Sequence, residues 1–286
     1  MIQIAHGPFT LIADPEAGGS IAALDWHGLP LLRRQNRPGV LHSGCFPLVP
    51  FSNRIAGSRF HWEGRDVALP PNHPDNPREP AMHGLGWLQP WQVVEKGKDY
   101  LELALQVPAG AWPWAFEARQ HFVLDDEGTT FSLSLTNHAT TPMPAGLGFH
   151  PFFPRQAETR LEARHRGEWQ VDAGCLPTRL IAQAEAVDWW EGRPVASRLV
   201  DTVYTGRFGP LRISWPEAGC GLVITPDPAL DFSTIYVPCD ADFFCAEPVS
   251  HITDAFNRPG ADSGLRTLAP GTCWTVAMRL APFSLA

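Results

Sequence analysis

With 286 residues, 44% of them apolar, and with 11 tryptophans and 16 phenylalanines, the chain can fill a sizeable core as one large domain or two small ones. A formal net charge of −8 disfavours nucleic acid and anionic membranes as partners, although a local basic pocket remains compatible with it. No apolar run approaches the roughly 20 residues of a membrane span, and Met1-Ile2-Gln3-Ile4-Ala5-His6 lacks the charged region and apolar core of a secretory signal, so a cytoplasmic soluble protein is expected.

Twenty-nine prolines and 25 glycines cut the chain into short pieces, which favours strands joined by turns over long helices. In chain order, Phe9–Ala13, Ser20–Trp26, Leu101–Val107 and Thr130–Thr136 alternate or nearly alternate apolar with small or polar residues, the mark of half-buried strands. Arg119–Leu124, the acidic turn Asp125-Asp126-Glu127-Gly128 and the Phe131 strand predict a hairpin. Further strands are expected at Leu211–Trp215, Gly221–Thr225, Thr234–Val237 and Thr272–Leu280. Weak helical signal is confined to residues 177–184 and to the stretch after Pro248. The proline-rich stretch 69–80 reads as an ordered surface loop that frames a site. No repeat, low-complexity tract or compositional break interrupts the strands, so the prediction is a single all-β domain over residues 1–286, a large antiparallel β-sandwich.

Six scattered cysteines form no C-x-x-C pair and read as small buried hydrophobes in a reducing compartment. Eleven histidines show no H-x-H, H-E-x-x-H or zinc-spaced Cys/His cluster, so no metal or cofactor is expected. Nucleophile elbows and glycine-rich phosphate loops are also lacking.

Four segments remain that could carry chemistry. In Gly146-Leu147-Gly148-Phe149-His150-Pro151-Phe152-Phe153-Pro154 one histidine stands among glycines, prolines and aromatic rings, where it could exchange a proton near neutrality in a dry setting or simply pack in a turn. Pro50-Phe51-Ser52-Asn53-Arg54 offers Arg54 as a multi-donor ligand for oxygens or as a loop ion pair. Met82-His83-Gly84 repeats the histidine–glycine pattern, and Phe243-Phe244-Cys245-Ala246-Glu247-Pro248 buries a carboxylate or aims it into a cleft. A carboxylate, two histidines and an arginine without a nucleophile make a general acid–base set.

These residues, in this order, resemble the aldose 1-epimerase (galactose mutarotase-like) family: Asn53-Arg54-Ile55, His83-Gly84, Asn137, Gly148-x-His150-Pro151-Phe152-Phe153, Asp201, then Glu247-Pro248 with Asp254-Ala255-Phe256-Asn257. The resemblance runs along nearly the whole chain. It implies a β-supersandwich with a cleft on a concave sheet, Glu247 as the base for the anomeric hydroxyl, and His150 as the acid for the ring oxygen. It further implies that His83, Arg54 and Asn53 bind the sugar, that Asp201 binds ring hydroxyls with Asp188 as the competing choice, and that no cofactor is used. Glu247 as carboxylate and His150 as imidazolium would then attract one another and both stay charged. Trp62, Trp87 and Trp91 are candidate sugar platforms or core residues. The expected partner is a small sugar, with the protein a monomer or homodimer. A neutral hexose is the first expectation; an anionic sugar (hexose 6-phosphate or sulfoquinovose), read by Arg78 or Arg155, and a non-catalytic carbohydrate-binding protein of the same fold are the alternatives. A glycoside hydrolase would need a second carboxylate paired with Glu247.

Overall fold

A computed structural model describes residues 1–182, 188–258 and 260–285. Among these, the strands form two large antiparallel sheets of eleven and nine strands. The first runs, edge to edge, through Ile2–His6, Phe9–Asp14, Ser20–Trp26, Cys45–Leu48, Gly148–Pro154, Phe243–Val249, Phe232–Val237, Val200–Arg207, His165–Val171 and Pro177–Ala182, with Leu29–Pro30 beside Ser20–Trp26. The second is centred on Cys273–Ser284, Thr129–Asn137 and Phe116–Leu124. No helix among the described residues is long and apolar enough to cross a membrane.

The alternation seen in the sequence is what builds the core. Thr129–Asn137 buries every second residue, and Phe131, Leu133 and Leu135 meet Phe149, Phe153, Phe244 and Ala246 from the other sheet in one apolar cluster. The opposite parity of those same strands, His150, Phe152, Cys245 and Glu247, then points to the outer face of the larger sheet. The predicted hairpin forms, with the Asp125 carboxylate accepting the backbone N–H groups of Glu127 and Gly128 in its turn.

The expected helix at 177–184 is corrected. Pro177–Ala182 is an edge strand paired with His165–Val171, because a stretch with Thr178 and Ile181 gains ladder hydrogen bonds from a neighbour that an isolated short helix would lack; residues 183 and 184 lie outside the described part. After Pro248 only single 3₁₀ turns form, at Ala255–Asn257 and Ala261–Ser263, where Gly260 (φ 152°) and Gly264 (φ 76°) leave helical geometry. Stretch 69–80 holds no strand, and Asn72 ties it down by donating to the carbonyls of Met82 and Gly84.

Two buried histidines outside the cleft link this fold to pH. The His251 Nε2 accepts the Ser52 N–H at 3.0 Å and its Nδ1 donates to the Ile252 carbonyl at 2.7 Å, which fixes a neutral ring. Neither ring nitrogen of His165 has a partner among the described residues. Burial holds His251 down at about 4 and His165 down at about 3, from an ordinary 6.5. The unfolded chain therefore takes up these protons first as pH falls below about 6.5, so the stability present above that pH is lost progressively down to the folded values, at up to about 1.4 kcal/mol per pH unit for each histidine. Urea midpoints between pH 7 and 4.5 should show this slope. His165→Phe, which keeps the apolar volume, should flatten it by about one proton, and an unchanged slope would remove His165 from the linkage.

Candidate active site

The larger sheet lays out its outer face in cross-strand rows. Phe46 pairs with His150, Glu247 pairs with Thr234, and in the neighbouring row Phe152 pairs with Cys245, which pairs with Tyr236, which pairs with Asp201. A cleft of about 500 Å³ lies over these rows, lined by His150, Phe152, Asp201, Thr234, Tyr236 and Glu247, with Asn53, Arg54 and His83 on one wall.

His150 and Glu247 are 7% and 3% exposed, and Nε2 stands 3.3 Å from the nearer carboxylate oxygen. The Phe46 ring stacks on the imidazole at 4.4 Å between centroids and the Phe152 ring lies tilted against it at 4.6 Å, so the ring is clamped among apolar surfaces. Nδ1 has no hydrogen-bond partner. The expectation that both groups stay charged is corrected in direction. Burial pushes His150 down to about 3 and Glu247 well above the usual carboxylate range, with Asp201 adding to the rise and Arg54 opposing it. Desolvation penalises each charge separately, and the pair 3.3 Å apart therefore holds one proton that favours the carboxyl.

The glycines of this segment allow the close approaches expected of them. A Cβ on Gly146 would stand 1.9 Å from His251 Cδ2, and one on Gly148 would stand 2.8 Å from the Pro248 carbonyl. Gly84 has φ 72° and passes within a Cβ's reach of the Val49 carbonyl. His83, beside it, and Asn53 both adopt the left-handed region at φ 58°. Their backbones interlock: Asn53 N–H donates to His83 Nδ1 at 3.2 Å, and His83 N–H donates to the Asn53 carbonyl at 3.0 Å. Nδ1 being an acceptor, the neutral ring carries its proton on Nε2, and burial with His150 and Arg54 nearby pushes His83 well below its ordinary value.

Arg54 forms the loop ion pair and also borders the cleft. Its Nε donates to Glu79 at 3.1 Å, and one terminal nitrogen reaches Asn53 Oδ1 at 3.4 Å and Asp201 at 3.6 Å, while the guanidinium lines the cleft. Asp201 is brought into the cleft as expected. The side chain of its competitor Asp188 is outside the described part. Asn137 lies elsewhere: its amide donates to the carbonyls of Thr141 and Leu268 and holds a turn of the second sheet. Asp254 accepts the Ala56 N–H and thereby holds the loop that follows Arg54. Trp87 and Trp91 are core residues and Trp62 packs against the core; none of the three lines this cleft.

Arg78 and Arg155 do not line it either. Arg155 turns away to donate to the Pro238 carbonyl. Besides Arg54, the arginines that do are Arg33 and Arg37, with His42 beside them. The Arg33 guanidinium lies 3.9 Å from the Phe152 ring centroid and 4.5 Å from that of Phe243, and it donates to the carbonyls of Leu41 and Ser43. Sequence reading missed this wall and also Glu79, Tyr236, His73 and Asp75. The run Arg33-Arg34-Gln35-Asn36-Arg37, three arginines in a chain of net charge −8, was the available signal.

An all-β supersandwich with a buried histidine–carboxylate pair in a cleft on its outer face belongs to the galactose mutarotase-like class of folds. A sequence model of the family described as aldose 1-epimerase matches residues 1–281, and the chain belongs to that family. It is 34% identical over 287 residues to the Escherichia coli K12 protein YphB, covering 97% of each chain. A crystal structure from Escherichia coli K12, provisionally named an aldose 1-epimerase, superposes with a TM-score of 0.91 at 32% identity over 99% of this chain and 98% of that one. A galactose mutarotase-like protein from Clostridium acetobutylicum shares the fold at a TM-score of 0.87 and 20% identity, over 99% and 95% of the two chains.

Proposed function

We propose that the protein is a cofactor-independent mutarotase that interconverts the α and β anomers of an aldohexose or a close derivative. One observation carries this reading: a buried imidazole nitrogen and a buried carboxylate oxygen, 3.3 Å apart on the floor of a sugar-sized cleft.

Anomer exchange requires the C1 hydroxyl to lose a proton while the ring oxygen gains one. Once the pair's proton has passed from the carboxyl to the imidazole, Glu247 accepts the first and His150 delivers the second; the ring opens to the aldehyde, the C1–C2 bond rotates, and reclosure reverses both transfers. The pair needs one proton in all. Ring opening leaves a neutral carboxyl and a neutral imidazole, and these are the forms that burial favours at both positions. Desolvation thus lowers the energy of the open-chain stage relative to the charged starting pair. Arg54, Asn53 and the Nε2–H of His83 supply donors to sugar oxygens, and the Asp201 carboxylate, fixed by Arg54, accepts from ring hydroxyls.

Saturation-transfer NMR on glucose, galactose, glucose 6-phosphate and sulfoquinovose tests the reading directly. Accelerated exchange of at least one of them is expected. A protein that binds sugar without accelerating exchange would be the non-catalytic member of the fold instead.

The basic wall supports an anionic sugar as a second reading. Phe152 lies against His150 and against Arg33, so Arg33, Arg37 and His42 are the cationic groups nearest to hand for a C6 anion on a sugar whose ring oxygen sits at His150. Arg37 is exposed at the rim. Under this reading Arg37→Ser should raise KM for a hexose carrying a phosphate or sulfonate on C6 by roughly 10-fold, the worth of one charge-assisted contact, and leave KM for glucose within about 2-fold. Equal effects on both sugars would return the assignment to a neutral hexose.

A further inference from the structure

Buried beside the floor of the cleft is a third group that anomer exchange does not use. Cys245 lies two residues before Glu247 on the same strand and therefore on the same face, diagonal to His150 across the strand pair. One ligand atom each from His150, Cys245 and Glu247 can be chosen so that all lie within 4.8 Å of one another, and all three residues are buried. We propose that this trio is a binding site for a thiophilic divalent cation, Zn²⁺, and that the ion switches the acid–base pair off when bound. The second half rests on the mutarotase reading; the first does not.

The ligand types select the ion. One nitrogen, one thiolate and one carboxylate suit tetrahedral zinc, whereas magnesium and calcium require six or more oxygens. Zinc bonds of about 2.0–2.3 Å place ligand atoms about 3.3–3.8 Å apart in a tetrahedron. His150 and Glu247 already stand 3.3 Å apart, and the thiol sulfur, within 4.8 Å of both, has about 1.3 Å or less to travel. His150 and Glu247 line the cleft, from which water would complete the fourth position.

Binding balances in charge: Zn²⁺ bonds to S⁻, O⁻ and an imidazole lone pair, the thiol proton and any carboxyl proton pass to water, and the bound cluster is neutral. Of the charged groups nearby, Arg33 and Arg54 help hold the thiolate and carboxylate, and Asp201 offsets their repulsion of the cation. With its lone pair and its carboxylate committed to zinc, the pair can neither give nor take the protons that ring opening needs.

The test uses Co²⁺ as a spectroscopic substitute on the full-length protein. Co²⁺ should produce a thiolate charge-transfer band that Zn²⁺ abolishes, and the band should be missing in Cys245→Ser and Cys245→Ala, with zinc affinity falling by more than the roughly 10–100-fold that loss of an outer ligand partner costs. In the exchange assay zinc should inhibit the parent protein reversibly, with chelator restoring the rate, while the remaining activity of both variants is indifferent to zinc. Absence of the band, or equal zinc affinity in the parent and both variants, overturns the site. A band without inhibition overturns the switch alone. A protein with the band but without any mutarotase activity contradicts the functional reading and leaves the metal site standing.

Discussion

Glu247→Gln should lower kcat for anomer exchange by about 10²–10⁴-fold, the worth of one positioned proton transfer, with KM changed by no more than about 3-fold. Glutamine keeps the shape of the side chain and cannot accept the O1 proton. The carboxylate sits 3% exposed beside His150 and is raised by burial, so the substitution removes a group whose ionisation the fold opposes. Thermal stability should accordingly hold or rise, since an amide is neutral at every pH and folding no longer has to bind a proton there to avoid a buried charge. Saturation transfer between the anomer resonances measures the rate, and a variant within about 3-fold of the parent would end the assignment of Glu247 as base.

His150→Asn should cost a similar 10²–10⁴-fold in kcat, because asparagine offers no group that titrates in the range needed to protonate the ring oxygen. Here stability should fall as well. The imidazole is held between Phe46 and Phe152, and a smaller side chain leaves part of that space empty, at roughly 1–3 kcal/mol. Denaturant midpoints separate the two effects: a folded variant with normal KM and low kcat has lost the acid, whereas one that has lost binding too has lost the floor of the cleft. The double variant should be little slower than either single one, because an acid and a base that act in one step fail together. Additive losses would mean that the two residues act in separate steps.

Much of the fold was legible because the strands are half buried and say so at every second residue. Phe9–Asp14 and Leu211–Trp215 fall where the alternation puts them, and the Asp125–Gly128 turn closes its hairpin as its residues require. Pro177–Ala182 was misread since an exposed edge strand has no buried face to leave a period in the sequence. The site was legible as segments. His150, Glu247, His83, Arg54, Asn53 and Asp201 all reach one cleft. Arg33, Arg37 and Glu79 went unread because each lies in a loop whose course depends on what it packs against: Arg33 on two phenylalanine rings, Glu79 on Arg54.

By itself the sequence determined the all-β class, the apolar and polar faces of the main strands, and the short list of residues able to move a proton. These are local properties, carried by side-chain type and spacing. Only the tertiary structure decided that Nε2 of His150 meets the Glu247 carboxylate at 3.3 Å, that burial turns both toward their neutral forms, that Cys245 lies buried beside them, and that Arg33 and Arg37, not Arg78 and Arg155, line the cleft. Cross-strand register and desolvation come from segments distant in the chain, and no window of sequence contains them.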